Sequence, residues 1–442
     1  MAALLVPPTA VDDPVAVPRR TPGRDVVAGP RAGRDVSARP ALGRDVSARP
    51  ALGRDVLVDG VRALATLGVV AVHWLMPEAT FDGDRLWVGN ALGHGGAWVL
   101  TWVLQVLPLL FFAAGASAAY QHARLPRGRG WAGAVGARVR GVARPVAAFA
   151  GAWVVALALL LATTLPDTAV LRLARMAPQL LWFLAVWVAL VALTPLARAA
   201  WQRWRWSALA VAFAAPLAVD ALRLGAGLER AAWANVLLVW AVPFLLGVAY
   251  ADDRSGWAAP EVRPLVVTHR MLHRRWARTV PVDALPRPLL AGVAVLAVGV
   301  MAALVASGPH PASMIGMPGD ALSNLAPPTA PIVAQSVAQV AVVLLARDVI
   351  VRWARGRGRG VVGVLARRSM TVYLWHLTAM FVVVGGVLLG LHETLPAPWS
   401  TDWWASRPLW WGAFALVLMG LVRVFGRFEA PRGAQSAGSA IA

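Results

Sequence analysis

The 442-residue chain reads as an all-α polytopic membrane protein, with about ten transmembrane helices and a disordered N-terminal tail. Three observations predict this. Hydrophobic residues make up 58% of the chain and charged residues only 14%, against about 25% charged in soluble domains. The apolar residues come in blocks of about 20, the length that crosses a bilayer as a helix. The 22 tryptophans against 3 tyrosines fit rings seated at lipid–water interfaces.

The tail comes first. "GRDV" recurs at 23, 33, 43 and 53 with a strict ten-residue period, among proline, glycine and mixed charge. It carries too little apolar surface to pack, and the period is too short for a folded repeat. Residues 1–53 are expected to form this tail, 54–430 the membrane domain, and 431–442 a short disordered end. "MAALLVPPTAV" lacks a basic start and a long enough apolar stretch for a cleavable signal, so the first span is expected to act as an uncleaved anchor.

Ten spans follow, near 57–76, 97–120, 142–164, 178–197, 207–223, 232–250, 288–307, 328–346, 370–391 and 408–426. All 42 basic residues are arginines, and the segments between spans alternate in arginine content. The tail has nine, 77–96 one, 121–144 six, 165–177 two, 198–206 three, 223–231 two, 251–287 seven, 308–327 none, 347–369 seven and 392–407 one. The positive-inside rule then puts both termini in the cytoplasm. The charge of +20 is read as topology rather than as a nucleic-acid footprint. The Ala, Gly and Pro content points to a high-GC bacterial genome and a bacterial cytoplasmic membrane. The absence of cysteine removes thiolate nucleophiles, disulfides and zinc–thiolate sites, and no metal is expected.

Several groups stand out against this apolar background. In "VRALATLGVVAVHWLM", Arg62 and His73 are 11 residues apart, about 16 Å along a helix. Eleven steps of 100° return to within about 20°, so the two side chains share a face. Asp59 lies on roughly the same face. Arg62 is expected near the cytoplasmic end of the span and His73 in the outer part of the membrane. Ionisable groups within spans are costly and mark sites, although Asp59–Arg62 also reads as a headgroup anchor and His73 as an interfacial residue. In "RRSMTVYLWHLTAMF", Ser369, Tyr373 and His376 line one helix face in the cytoplasmic half of the ninth span. They read equally as a serine cap and a packed Tyr–His pair. The loop "RLPRGRGWAGAVGARVRGVARP" holds six arginines and ends at the proline that opens the third span. Arginine clusters hold phosphates, and simple topological charge is the other reading. "SNLAPPTAP" places Asn324 at a rigid entry into the eighth span, and Asp220 with Arg223 reads as a local pair.

These motifs together resemble the integral-membrane acyltransferase family 3, in the branch without an appended soluble esterase-like domain. "VDGVRALATLGVVAVHW", "LPLLFFAAG", "RVRGVARP", "PQLLWFLAVW", "NLAPPT" and "SMTVYLWH" follow the family's order, and the resemblance runs from about 54 to 430. Two positions depart from it. Ala114-Gly115 stands where Ser-Gly is frequent, and where arginines three apart are frequent in the basic loop, Arg138 is followed three on by Gly141 and Arg140 is preceded three before by Ala137. The resemblance implies an acyltransferase moving groups other than aminoacyl groups. It would carry an acyl group, acetyl above all, from cytoplasmic acyl-CoA to a hydroxyl of a glycan, glycolipid or small metabolite. It implies catalytic roles for His73, Arg62 and His376 and donor binding by Arg62, Arg138, Arg140 and Arg144. Asp59, Ser369, Tyr373 and Asn324 would support the site. Imidazole titrates in the range a base for an alcohol requires; without cysteine, a covalent intermediate would sit on serine or histidine. The competing class is a transporter or flippase. Against it, the halves show no inverted repeat and no paired half-helices.

Overall fold

The computed structural model describes residues 55–429, apart from 127, 129 and 256–280. The tail assigned to 1–53, the end assigned to 431–442 and most of the loop 251–287 lie outside the described residues.

Fourteen helices are used here: α1 (Val56–Leu75), α2 (Leu100–Leu104), α3 (Leu107–Ala123), α4 (Trp131–Leu161), α5 (Asp167–Met176), α6 (Leu181–Ala192), α7 (Thr194–Trp204), α8 (Trp206–Asp220), α9 (Asn235–Arg254), α10 (Arg287–Ser307), α11 (Ala330–Leu345), α12 (Arg347–Arg355), α13 (Arg359–Gly385) and α14 (Thr401–Phe425). One antiparallel hairpin, β1 (Ala79–Phe81) with β2 (Leu86–Val88), follows α1. Among the described residues nine helices are long and apolar enough to cross a membrane. The expected eighth span is different: α11 has 16 residues and meets α12 at a 65° bend. Ten spans result only when that bent pair counts as one.

α1 starts where an aspartate can cap it. The Asp55 carboxylate accepts from the Leu57 and Val58 amides at 3.0 and 3.4 Å. From there α1 runs along the seam between two packed groups. Leu57, Val58 and Val61 are buried in the group that includes residues of α3 and α9, while Ala63, Val70 and Trp74 are buried in the group that includes residues of α4, α13 and α14.

α3 and α9 approach each other closely. A Cβ on Gly115 would collide with the Phe244 carbonyl, and one on Gly247 with the Phe112 carbonyl. The two glycines thus let the backbones touch, as small residues do at helix contacts in membranes. Gly60 plays a milder form of the role on α1, where an added Cβ would lie 2.9 Å from Ile350 of the bent α12.

The basic segment before the third span is helical. α4 begins at Trp131 and runs for 31 residues with Pro145 inside it. Proline removes one backbone hydrogen bond but is tolerated in membrane helices, where neighbours and local adjustment compensate. Pro145 therefore does not open the span.

α13 likewise starts 11 residues earlier than the sequence suggests. It breaks at Arg368, whose backbone leaves the helical region (φ −129°, ψ 16°). The amides freed at the break are taken by Glu429, which accepts from Met370 N at 3.2 Å, Thr371 N at 3.0 Å and the Thr371 hydroxyl at 2.7 Å. Arg368 in turn donates to the Gly426 carbonyl.

Candidate active site

Two histidines from helices 300 residues apart in sequence meet beside Trp74. His73 is half-buried on the last turns of α1, and His376 is fully buried within α13. His376 Nε2 lies 3.3 Å from His73 Nδ1, with ring centroids 4.9 Å apart in an edge-on arrangement. The sequence places these residues at different depths, but the structure brings them level. His376 lies 17 residues after Arg359, just as His73 lies 17 after Val56. The early start of α13 therefore accounts for the difference.

Backbone acceptors fix which nitrogen of each ring carries the proton. His73 Nδ1 is 2.7 Å from the Val69 carbonyl, and His376 Nδ1 is 2.7 Å from the Tyr373 carbonyl. A carbonyl only accepts, so both neutral rings carry hydrogen on Nδ1 and a lone pair on Nε2. The His376 lone pair faces the His73 Nδ1–H, which it can share with Val69. That leaves His73 Nε2 as the free basic nitrogen of the pair.

The support around the pair is aromatic. Trp74 Nε1 donates to the His376 carbonyl at 3.2 Å, and its ring packs on Phe414 and Trp411. The Tyr373 hydroxyl donates to the Leu180 carbonyl at 2.7 Å, not to His376. The ring of Phe183, from the "WFL" run of α6, lies 5.3 Å from that of Tyr373. Of the expected Ser369–Tyr373–His376 cluster, Tyr373 still packs beside His376, with ring centroids 6.1 Å apart, although its hydroxyl bonds elsewhere. Ser369 sits at the break in α13, where Glu429 caps the two following amides, and Tyr373 ties α13 to the entry of α6.

Arg62 shares the helix face of His73 but meets another helix. Its guanidinium donates to the Ser117 hydroxyl of α3 at 2.5 Å and pairs with Asp59 at 3.3 Å. One face of α1 thus touches α3 at the Arg62 end and α13 at the His73 end. Ser117 escaped the sequence reading, and its signal was a hydroxyl two residues past Gly115, within the apolar stretch 107–119 of α3.

The other expected site residues lie apart. Arg140 and Arg144 are exposed on α4, and neither forms a hydrogen bond or ion pair with Arg62; Arg138 is half-buried on the same helix. Asn324 is fully buried and its polar atoms are engaged locally. Its amide donates to the Pro311 and Ser313 carbonyls, and its oxygen accepts from Thr329. It staples the loop before α11. Asp220 and Arg223 do not form the expected pair. Arg223 pairs with Glu229 at 3.0 Å, while Asp220 accepts from Asn235 and from the first amide of α11 at 2.6 Å. That helix end presents free N–H groups, which hold a carboxylate better than a mobile guanidinium does.

A second polar region at the Arg62 end also went unread. Asp55 accepts from the hydroxyls of Tyr120 and Tyr250 and pairs with Arg254. Beside it, Asp252 receives Arg198 and Gln202, and Asp253 receives Arg205 and Trp201. Asp55 was hidden inside the fourth "GRDV" copy, although an aspartate before an apolar run is a helix-start signal.

The fold is a helical membrane bundle in which α1 and α13 bring two histidines together. The sequence model of the acyltransferase 3 family, described as an acyltransferase domain, matches residues 55–425. The chain belongs to this family and is a membrane acyltransferase. No curated protein and no solved structure matches it.

Proposed function

We propose that the protein moves an acyl group, acetyl above all, from acyl-CoA to a hydroxyl of a glycan, glycolipid or small metabolite, with His73 Nε2 as the base. The observation that carries this reading is the His73–His376 pair, in which one nitrogen, His73 Nε2, is left without a partner among the described residues. The acceptor's hydroxyl gives its proton to His73 Nε2 as its oxygen attacks the thioester carbonyl carbon. The carbon–sulfur bond then breaks, and coenzyme A leaves as the thiol with that proton. While His73 is an imidazolium, its Nδ1–H binds the Val69 carbonyl and the His376 lone pair more strongly, as hydrogen bonds from charged donors do. His376 acts through His73, in the place a carboxylate takes in a hydrolase triad.

In this reading the donor enters from the cytoplasm at the Arg62 end. Its phosphates are held by Arg62, kept in place by Asp59 and Ser117, with Arg138, Arg140 and Arg144 adding positive charge from α4. The acceptor waits at the His73 end, and both termini lie on the cytoplasmic side of a bacterial cytoplasmic membrane. The test is release of thiol from acetyl-CoA by the purified full-length protein in nanodiscs, with sugars and glycolipids offered as acceptors. A transporter or flippase would release none. No acceptor-dependent release with any acyl-CoA would overturn the reading.

A further inference from the structure

Between the hairpin and α5 lies a cavity of about 480 Å³ lined by Val88, Thr168, Leu171, Arg172, Arg175 and Met176. Arg172 and Arg175 are three residues apart on one helix face, both exposed, and neither has a hydrogen bond or ion pair among the described residues. The opposite face of α5 is fixed to the core. Ala169 and Val170 are buried, and Leu173 packs in the cluster that holds Trp74 and Tyr373. The turn after α5 ends at Leu180, whose carbonyl holds the Tyr373 hydroxyl one helical turn from His376. The two guanidinium groups are therefore carried on a helix that packs in the same cluster as the neighbours of the histidine pair.

Their charge is out of place as a topology signal. They belong to the arginine-poor side of the bundle. There, Arg223 is spent on Glu229 and Arg407 stacks over Trp403 at 4.2 Å. Another cavity at this end, about 460 Å³, presents the opposite charge, with Glu78 engaged by His94 and with Asp320 on its wall. It would repel an anion. Two uncommitted guanidinium groups at one cavity suit a phosphate or carboxylate, which arginine can hold through two parallel hydrogen bonds.

We propose that this cavity binds the acidic group, phosphate or carboxylate, of an anionic hydroxyl-bearing acceptor. The proposal rests on the acyl-transfer reading above and on its outward assignment of this face. The chain has no cysteine, so Met176→Cys in the full-length protein introduces a single thiol on the cavity wall; Leu171→Cys supplies a second, independent position. The rate of labelling by a charged, membrane-impermeant maleimide is measured in phosphatidylcholine nanodiscs at constant ionic strength. Inorganic phosphate and glucuronate are the probes and glucose the neutral control.

One or both anions should slow labelling and glucose should not, and the stronger probe identifies the acid. Adding Arg172→Gln and Arg175→Gln should raise the half-protecting concentration at least about tenfold. No protection at either thiol, or equal protection in the double variant, overturns the site. Protection by phosphatidylglycerol nanodiscs alone, with none from soluble anions, also overturns it by assigning the arginines to headgroups. Labelling of intact cells only after permeabilisation overturns the outward placement. Thiol release from acetyl-CoA by the same preparations reads the reaction separately: protection without release keeps the anion site and removes the acyl-transfer reading.

Discussion

At the Arg62 end of the bundle, Asp252 is fully buried and accepts from Arg198 at 2.5 Å and from Gln202 at 2.8 Å, while Arg198 also reaches His122. At the His73 end two imidazole rings touch, and one nitrogen between them has no partner among the described residues. Both regions place polar groups in an apolar bundle, where each unsatisfied group is costly. The first region answers that cost by pairing charges across α3, α7 and α9, and it thereby locks those helices. The second leaves a lone pair open. The difference teaches where chemistry can reside, because a base needs a lone pair open to substrate, whereas the Asp252 carboxylate is buried and already accepts three hydrogen bonds from Arg198 and Gln202.

The strongest way to break this contrast is His73→Gln. Glutamine keeps a hydrogen-bonding side chain but cannot take the proton. Acyl transfer per folded protein should fall by about a hundred- to ten-thousand-fold, with the thermal midpoint in detergent unchanged. Turnover near that of the native chain would remove His73 from the base role. Asp252→Ala tests the other half. Removing one partner of a buried pair costs about 3–5 kcal/mol, because the remaining charge is stranded. Thermal unfolding should show that loss, while the protein that remains folded keeps its activity. A stable but inactive Asp252→Ala would place chemistry in the network and undo the distinction.

A finer test separates His376 from His73. His376 reaches only the first ring, through the acceptor nitrogen facing His73 Nδ1. Losing a hydrogen bond to a charged group is worth about 1.5–3 kcal/mol, so His376→Ala should lower kcat by about tenfold to a hundredfold. The acceptor KM should stay in place. His376→Gln, whose amide oxygen can accept from Nδ1, should recover part of the loss. A change confined to KM would instead put His376 in contact with the acceptor.

The legible part of the molecule was what lies within one helix. The lengths of apolar runs found the spans, and the 11-residue spacing put Arg62 and His73 on one face, as α1 shows. What periodicity does not encode is which helices are neighbours. His376 was visible as a buried histidine, but its contact with His73 depends on α13 starting at Arg359 and on a break capped by Glu429 from 58 residues further on. The same limit explains Ser117 and the Asp220–Asn235 bond, both partners across helices. Repetition misled once, since the period that defines the tail continues into Asp55, which belongs to the helix. Pro145 misled because a rule for soluble helices was applied inside a membrane segment.

The smallest expected effect concerns His310, in the loop between α10 and α11, outside the spans. It is 8% exposed and its Nδ1 has no hydrogen-bond partner among the described residues. Burial pushes its imidazole below the ordinary value of 6.5, Asp220 opposes that shift, and Arg223 adds to it. The sign follows from linkage. Between the folded and unfolded values the unfolded chain holds more protons, so stability falls as pH falls. The contribution of neutral His310 is complete above about pH 6.5 and is lost progressively as pH drops toward the lower folded value. His310→Gln removes the titration, so its thermal midpoint should vary less than the native chain's between neutral and mildly acidic pH. Unlike the histidine pair, His310 should leave acyl transfer at neutral pH unchanged. A loss of activity there would mean that a buried histidine with an unpartnered nitrogen takes part in the reaction even outside the pair, and the open valence alone would no longer single out His73.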